Sequence, residues 1–184
     1  MIDRLPGTTI EIAVPNADVA REILSNAFIC GGLMMSQVAR MTGLEPYMIQ
    51  NWVKRGFVSS PVKRMYSRDQ FARIIIINML RDSIQIDRIC ELIRVIEGEV
   101  NDPNDDLIRD NELYHRYVNM LSELRFDMID GDTVMQAAEN ASADYVERVP
   151  GEKKKLCRLL QVMFYAHTAS RVKEKACELL ATLD

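Results

Sequence analysis

Ser67-Arg-Asp-Gln70, followed by Phe71 and the unbroken run Ile74-Ile-Ile-Ile77, is the feature that most limits the folds open to this chain. Four β-branched residues in a row favour a strand on intrinsic preference, because such side chains lose rotamer freedom in a helix. The preceding Ser-x-x-Gln pattern is a capping box, in which the serine and glutamine side chains satisfy free N–H groups at a helix start. Apolar residues continue at Phe71 and Leu80, so a helix to about Arg81 is expected. A helix apolar nearly all round cannot face water and must lie buried among other elements. The run falls far short of the ~20 residues of a membrane span and lies between Arg73 and Asn78.

The surrounding segments supply partners for such a helix. The chain has 184 residues, 48% of them apolar, enough for one core or two small ones. Residues 3–14 look extended or irregular, with Pro6-Gly7 and Pro15 as breaks. Asn16 suits the cap of a helix through Ala20 to about Ile29, ended by Gly31-Gly32. Ser36 is expected to cap a short helix over 37–41, and Thr42-Gly43 to turn the chain. Pro46 suits the first position of a second helix, which runs to about Arg55 before Gly56 stops it. Phe57-Val58 and Met65-Tyr66 can pair as two short strands around residues 59–64, a small wing. Ile86, Ile89, Cys90, Ile93 and Ile96 recur at helical spacing.

Residues 98–106 form a polar linker, and beyond it three further helices are expected, over about 107–125, 133–149 and 152–183. The last carries Leu156, Leu159, Leu160, Met163, Phe164, Val172, Ala176, Leu179, Leu180 and Leu183, with a bend or break near residues 168–170. No repeat and no sustained heptad stands out. The organisation is therefore an N-terminal extension (1–32), a unit at 33–97, a linker (98–106) and a C-terminal helical bundle (107–184). The fold class is all-α with a small β-hairpin wing.

Charge is distributed unevenly. The net charge is −4, yet residues 34–81 hold eight basic residues against two acids. Residues 97–152 hold fifteen acids against four arginines. A basic patch on an otherwise acidic chain confines attraction for polyanions to one face, although chance differences between charged helices would look the same. The four cysteines stand far apart, without a C-x-x-C pair, which is the usage of a reducing cytoplasm with each thiol a small core residue. The N-terminus shows acids and no basic-then-apolar leader, so a cytoplasmic location is expected.

The basic stretch has the order of a helix-turn-helix closed by a wing. In that motif the second helix lies in the major groove and the first crosses the backbone. Met48, Ile49, Trp52 and Val53 form the apolar side of the second helix. Tyr47, Gln50 and Asn51 project outward, and glutamine or asparagine can offer donor and acceptor together to an adenine edge. Ser36, Arg40, Lys54, Arg55, Lys63, Arg64, Tyr66 and Arg68 are the candidates for phosphate contacts. The plain alternative is a solvated helix pair used only for packing.

Ser36-Gln-Val-Ala-Arg-Met-Thr-Gly-Leu44, Gly56-Phe57 and Arg64-Met-Tyr-Ser67 resemble the MerR-type winged helix-turn-helix, where an R-x-Y-S element closes the wing. The closer resemblance is to an uncharacterised bacterial family of MerR-like proteins, a domain of unknown function. Its motifs are similar to Met48-Ile-Gln-Asn-Trp-Val-Lys54 and Pro61-Val-Lys-Arg-Met-Tyr-Ser67, followed by an isoleucine-rich helix. The likeness covers about residues 28–96 and implies a DNA-binding fold. Two departures stand out: MerR regulators usually carry arginine where this chain has Gln50, and they usually end in one long dimerising helix, often followed by a ligand domain or metal-binding cysteines.

Other signals fail. Asp102-Pro-Asn104-Asp-Asp106 opens like a calcium loop, but Leu107 stands where glycine is needed and Leu113 where a bidentate glutamate is needed. His115 and His167 are far apart, and no nucleophile or phosphate-loop motif appears. The expectation is thus a sequence-specific DNA-binding transcriptional regulator, without enzymatic activity, metal or cofactor. Double-stranded DNA is the partner, and the C-terminal helices form a homodimer or bind a partner. Two alternatives stay open: a protein-interaction adaptor that keeps the winged fold, and a bundle that holds a small ligand. The effector is not written in the sequence.

Overall fold

A computed structural model describes residues 3–12, 17–97, 106–124 and 130–183. Among them the chain forms eight helices and two small antiparallel sheets. A hairpin of β1 (Asp3–Arg4) and β2 (Glu11–Ile12) comes first, then α1 (Ala17–Ala27). Strand β3 (Leu33–Met34) leads into α2 (Met35–Thr42) and α3 (Pro46–Lys54); β4 (Met65–Tyr66) leads into α4 (Arg68–Leu80) and α5 (Ile86–Glu97). The remaining helices are α6 (Asp110–Glu123), α7 (Gly131–Ala141) and α8 (Glu152–Leu180). No described helix is long and apolar enough to cross a membrane. The expected N-cap Asn16 and residues 98–105, which hold most of the linker and the opening of the failed calcium loop, lie outside the described residues.

The isoleucine-rich segment is a helix, as its cap demands. Ser67 Oγ accepts from Gln70 N at 3.2 Å, and Gln70 Oε1 accepts from Ser67 N at 2.8 Å. Phe71, Ala72, Met79, Leu80 and all four isoleucines of α4 are buried. Burying that many apolar side chains, at roughly 1.5–3 kcal/mol each, outweighs the few tenths by which β-branched residues disfavour a helix. The core built around α4 is one contiguous cluster reaching from Leu5 in the N-terminal hairpin to Ala166 in α8.

The polar residues of α4 tie it to other elements. Asn78 Nδ2 donates to Gly7 O and to Thr42 O, both at 3.0 Å, joining the hairpin, the end of α2 and α4. Gly7 has φ 72°, and a Cβ there would meet Ile75 O at 2.1 Å, so only glycine lets the hairpin lie on α4. Arg73 spans α4, α5 and α6: it donates to Asp110 Oδ2 from Nε (3.0 Å) and Nη2 (2.7 Å), and Nη1 pairs with Glu97. Burial pushes the Asp110 carboxyl up to about 6 against the opposing pull of Arg73.

Several expectations need correction. Strand β4 pairs with β3 (Leu33↔Tyr66, Met34↔Met65), not with Phe57-Val58. The N–H groups of Phe57 and Val58 both turn back to Trp52 O, at 2.9 and 3.4 Å, closing α3 and leaving nothing for a ladder. Gly32 admits the other pairing, because a Cβ there would crowd Tyr66 O at 3.1 Å. Ser36 is not a cap: Gln37 Oε1 accepts from Met34 N at 2.8 Å, so α2 starts earlier. Helix α7 ends at Ala141 rather than near Val149, and α8 continues unbroken through residues 168–170.

The apolar residues of α8 split into two rows. Leu156, Leu159, Leu160, Met163 and Phe164 are buried, whereas Val172, Leu179, Leu180 and Leu183 are exposed. The exposed row Val162, Tyr165, Ala169, Val172, Ala176 and Leu179 alternates steps of three and four, a heptad seam masked in the sequence by the buried row. Among the cysteines only Cys157 is buried; Cys30 and Cys177 are exposed and Cys90 is half-buried, so the expectation of four core thiols fails.

The Asp110 carboxyl gives a pH signature. Its affinity for a proton is higher in the folded chain than in the unfolded one, so its contribution to stability is fully present below about pH 4. That contribution is lost as pH rises through about 6. Urea unfolding from pH 4 to 7 should show wild type losing on the order of 3 kcal/mol relative to Asp110→Asn. Parallel pH profiles would show that Asp110 does not titrate in this window.

Candidate nucleic-acid interface

Helix α3 starts with Pro46 at its first turn and is closed by Arg55, after which Gly56 takes φ 76°. Ile49 and Trp52 are buried, and Met48 and Val53 are half-buried, which fixes the rotation of the helix about its axis. Tyr47, Gln50, Asn51 and Lys54 stand at i, i+3, i+4 and i+7 and are exposed, so one outward face carries all four. Tyr47 is 68% exposed. Ser36 and Arg40, one turn apart on α2, are exposed as well.

The turn between α2 and α3 is held from below. Gly43 takes φ 70°, Thr42 Oγ1 donates to Val38 O at 2.8 Å, and Leu44 N donates to Thr42 Oγ1 at 3.3 Å. Thr9 of the N-terminal hairpin donates to Met41 O from N (2.8 Å) and to Arg40 O from Oγ1 (2.9 Å). Arg81 at the end of α4 reaches Met48 Sδ at 3.7 Å. The outward face of α3 is therefore braced by three separate elements.

Lys63 and Arg64 occupy the tip of a two-residue turn. Val62 N donates to Met65 O at 3.1 Å, and Met65 N donates to Val62 O at 2.9 Å. Both central residues have positive φ, 50° and 64°, the geometry of a type I′ turn. That turn favours Asn-Gly, and a left-handed non-glycine residue costs roughly 1–2 kcal/mol. Gln70 steadies the base of this loop: Nε2 donates to Ser59 O (3.0 Å), Ser59 Oγ (3.0 Å) and Ser60 O (2.9 Å). The capping motif pointed to Gln70, but not to its second duty.

Three of the expected phosphate ligands are placed otherwise. Tyr66 is 2% exposed, with its hydroxyl directed at Met35 Sδ (4.0 Å) and its phenol pushed up by burial, so it cannot reach a phosphate. Its aromatic ring is needed in the core behind β4. Arg68 lies 5.8 Å from the Phe28 ring and lines a cleft with Arg21 and His115, turned from the turn tip toward α1 and α6. Arg55 lies 4.4 Å over the Phe57 ring and 3.7 Å from Asp87, a partly exposed cation already engaged. Ser36, Arg40, Lys54, Lys63 and Arg64 remain exposed cations or donors. No cluster of histidine, cysteine or carboxylate side chains suited to a metal occurs among the described residues.

Residues 30–117 match the family described as Domain of unknown function (DUF1836). The match begins before β3, takes in α2 through α5 and ends within α6, so it includes the Arg73–Asp110 pair. No curated protein and no solved structure is similar to the chain.

The strained turn is testable without a ligand. Lys63→Asn combined with Arg64→Gly should raise stability by about 1–2 kcal/mol in urea unfolding, by matching residue to backbone. A loss of stability would mean that the two side chains hold the turn together.

Proposed function

We propose that this chain is a sequence-specific DNA-binding transcriptional regulator of MerR-like winged helix-turn-helix type. The observation that carries the reading is the solvent-exposed Lys63-Arg64 tip. Two cations are held there in a backbone conformation that costs stability, beside a helix whose outward face carries Tyr47, Gln50, Asn51 and Lys54. Backbone strain of this kind clusters at binding and catalytic sites, and that is what makes the exposed tip support the reading.

In this reading α3 enters the major groove, and Gln50 and Asn51 contact base edges, with Tyr47 beside them. Arg40, Lys54, Lys63 and Arg64 hold phosphates, Ser36 adds a hydroxyl donor at the start of α2, and Arg55 joins them on leaving Asp87. Tyr66 and Arg68 drop out of the set. Selection of bound sequences from random duplexes, followed by a salt titration, tests the reading. About five phosphate contacts, Arg55 included, predict log K falling against log salt with a slope near −4 to −5. Asn51→Ala should relax base preference, while Lys63→Ala should weaken all sequences about equally. No enrichment, with a flat salt response, would instead favour an adaptor that keeps the fold.

A two-fold operator calls for a two-fold protein, and the exposed seam of α8 is the surface suited to it. Val172 is 65% exposed and Leu179 57%, in register with Tyr165, Ala169 and Ala176. Pairing two such seams gives knobs-into-holes contacts between identical helices. Light scattering should find a dimer for the wild-type chain and a folded monomer for Val172→Glu combined with Leu179→Glu. A wild-type monomer at tens of micromolar, or an unaltered dimer in the variant, would remove α8 from the assembly.

A further inference from the structure

The duplex reading leaves a second group of cations unused. A cleft of about 630 Å³ opens among α1, the start of α4, the first half of α6 and the end of α7. Arg21 of α1, Arg68 of α4 and Arg109 at the start of α6 line it, together with Asn111 and His115. Arg116 also lines it but is already neutralised, with Glu112 at 2.8 Å and Asp144 at 2.6 Å. By contrast, Arg21, Arg68 and Arg109 have no ion pair among the described residues, although Asp18 stands on the same wall. His115 Nδ1 is shut off from solvent and has no hydrogen-bond partner among the described residues.

We propose that this cleft binds the phosphate group of a small phosphomonoester. Guanidinium is a planar fork of N–H donors matched to phosphate oxygens, and here three forks come from three separate elements. A phosphomonoester offers three terminal oxygens and close to two negative charges near neutral pH, whereas a nucleic-acid phosphodiester offers two and one. The volume suits a small molecule. His115 supplies the only ring among the described lining residues, so none of them stacks a nucleobase face to face, and anionic recognition dominates. Burial, then Arg21 and Arg68, pushes the His115 imidazole down, so the ring adds no competing positive charge and serves as a reporter in the wall of the cleft.

The chain has two histidines, so their ring protons report the cleft directly. His167, hydrogen-bonded to Tyr117 at 2.8 Å, is outside it and serves as the control. In NMR titrations of the full chain, ribose 5-phosphate should shift His115 saturably and leave His167 unmoved. Ribose and sodium chloride should do neither. Arg21→Gln combined with Arg109→Gln, both at exposed positions, should weaken binding at least roughly tenfold with the His167 signal unchanged. Unsaturable drift matched by sodium chloride, or equal affinity in the double variant, would overturn the proposal. Saturation by inorganic phosphate with no response to ribose 5-phosphate would reduce the cleft to a free-anion site. Displacement of the sugar phosphate by a short duplex would reassign it to the DNA backbone.

Discussion

A helix with no apolar-free side fixes the plan of this molecule. Burial of eight of the thirteen residues of α4 forces other elements to surround it. Its few polar side chains then decide where those elements sit. Asn78 fastens the N-terminal hairpin and the end of α2, and Arg73 fastens α5 and α6. Gln70 fastens the base of the 59–66 loop, and Asp69 accepts from Asn111 N at 3.2 Å at the start of α6. Removing Arg73 would leave the buried Asp110 carboxyl unpaired, which costs more than the bond itself contributes. The outward face of α3 and the turn tip are both tied to this one helix, through Arg81 at its end and Gln70 at its start.

Much of that plan was legible from local patterns. Ser67 and Gln70 announced the start of α4 because a capping box is a chemical bond between neighbours in sequence. Pro46, Gly43 and Gly56 marked the limits of α2 and α3 for equally local reasons. The outward set on α3 followed from period alone, once Ile49 and Trp52 were assigned to the core. What failed depended on distant partners. The pairing of β4 with β3 was hidden, since Phe57-Val58 are as suited to a strand as Leu33-Met34; only the hydrogen bonds back to Trp52 disqualify them. Arg68 and Tyr66 belonged to a motif whose side chains the packing turns inward or away.

Helix α8 shows a different limit. Its apolar residues cover so much of the circumference that a single face cannot be picked out by counting. The buried and exposed rows separate only when α4, α6 and α7 cover one of them. Likewise the arginines at positions 21, 68 and 109 are scattered over 89 positions of sequence and share a cleft only because α1, α4 and α6 converge. The basic excess of residues 34–81 is thus divided: most of it lies around α3 and the turn tip, Arg68 faces the cleft, and Arg73 is spent in the buried pair with Asp110 and Glu97.

On the proposed function, a duplex contacts the braced face of α3 and the strained tip, and nothing on the acidic helices. Amide hydrogen exchange of the full chain with and without a selected duplex tests it most directly. Duplex bound at that face should slow exchange in α3 and in residues 62–66, with α6 and α7 unchanged. Slowing confined to α6 and α7, or no difference with duplex in excess, would contradict it.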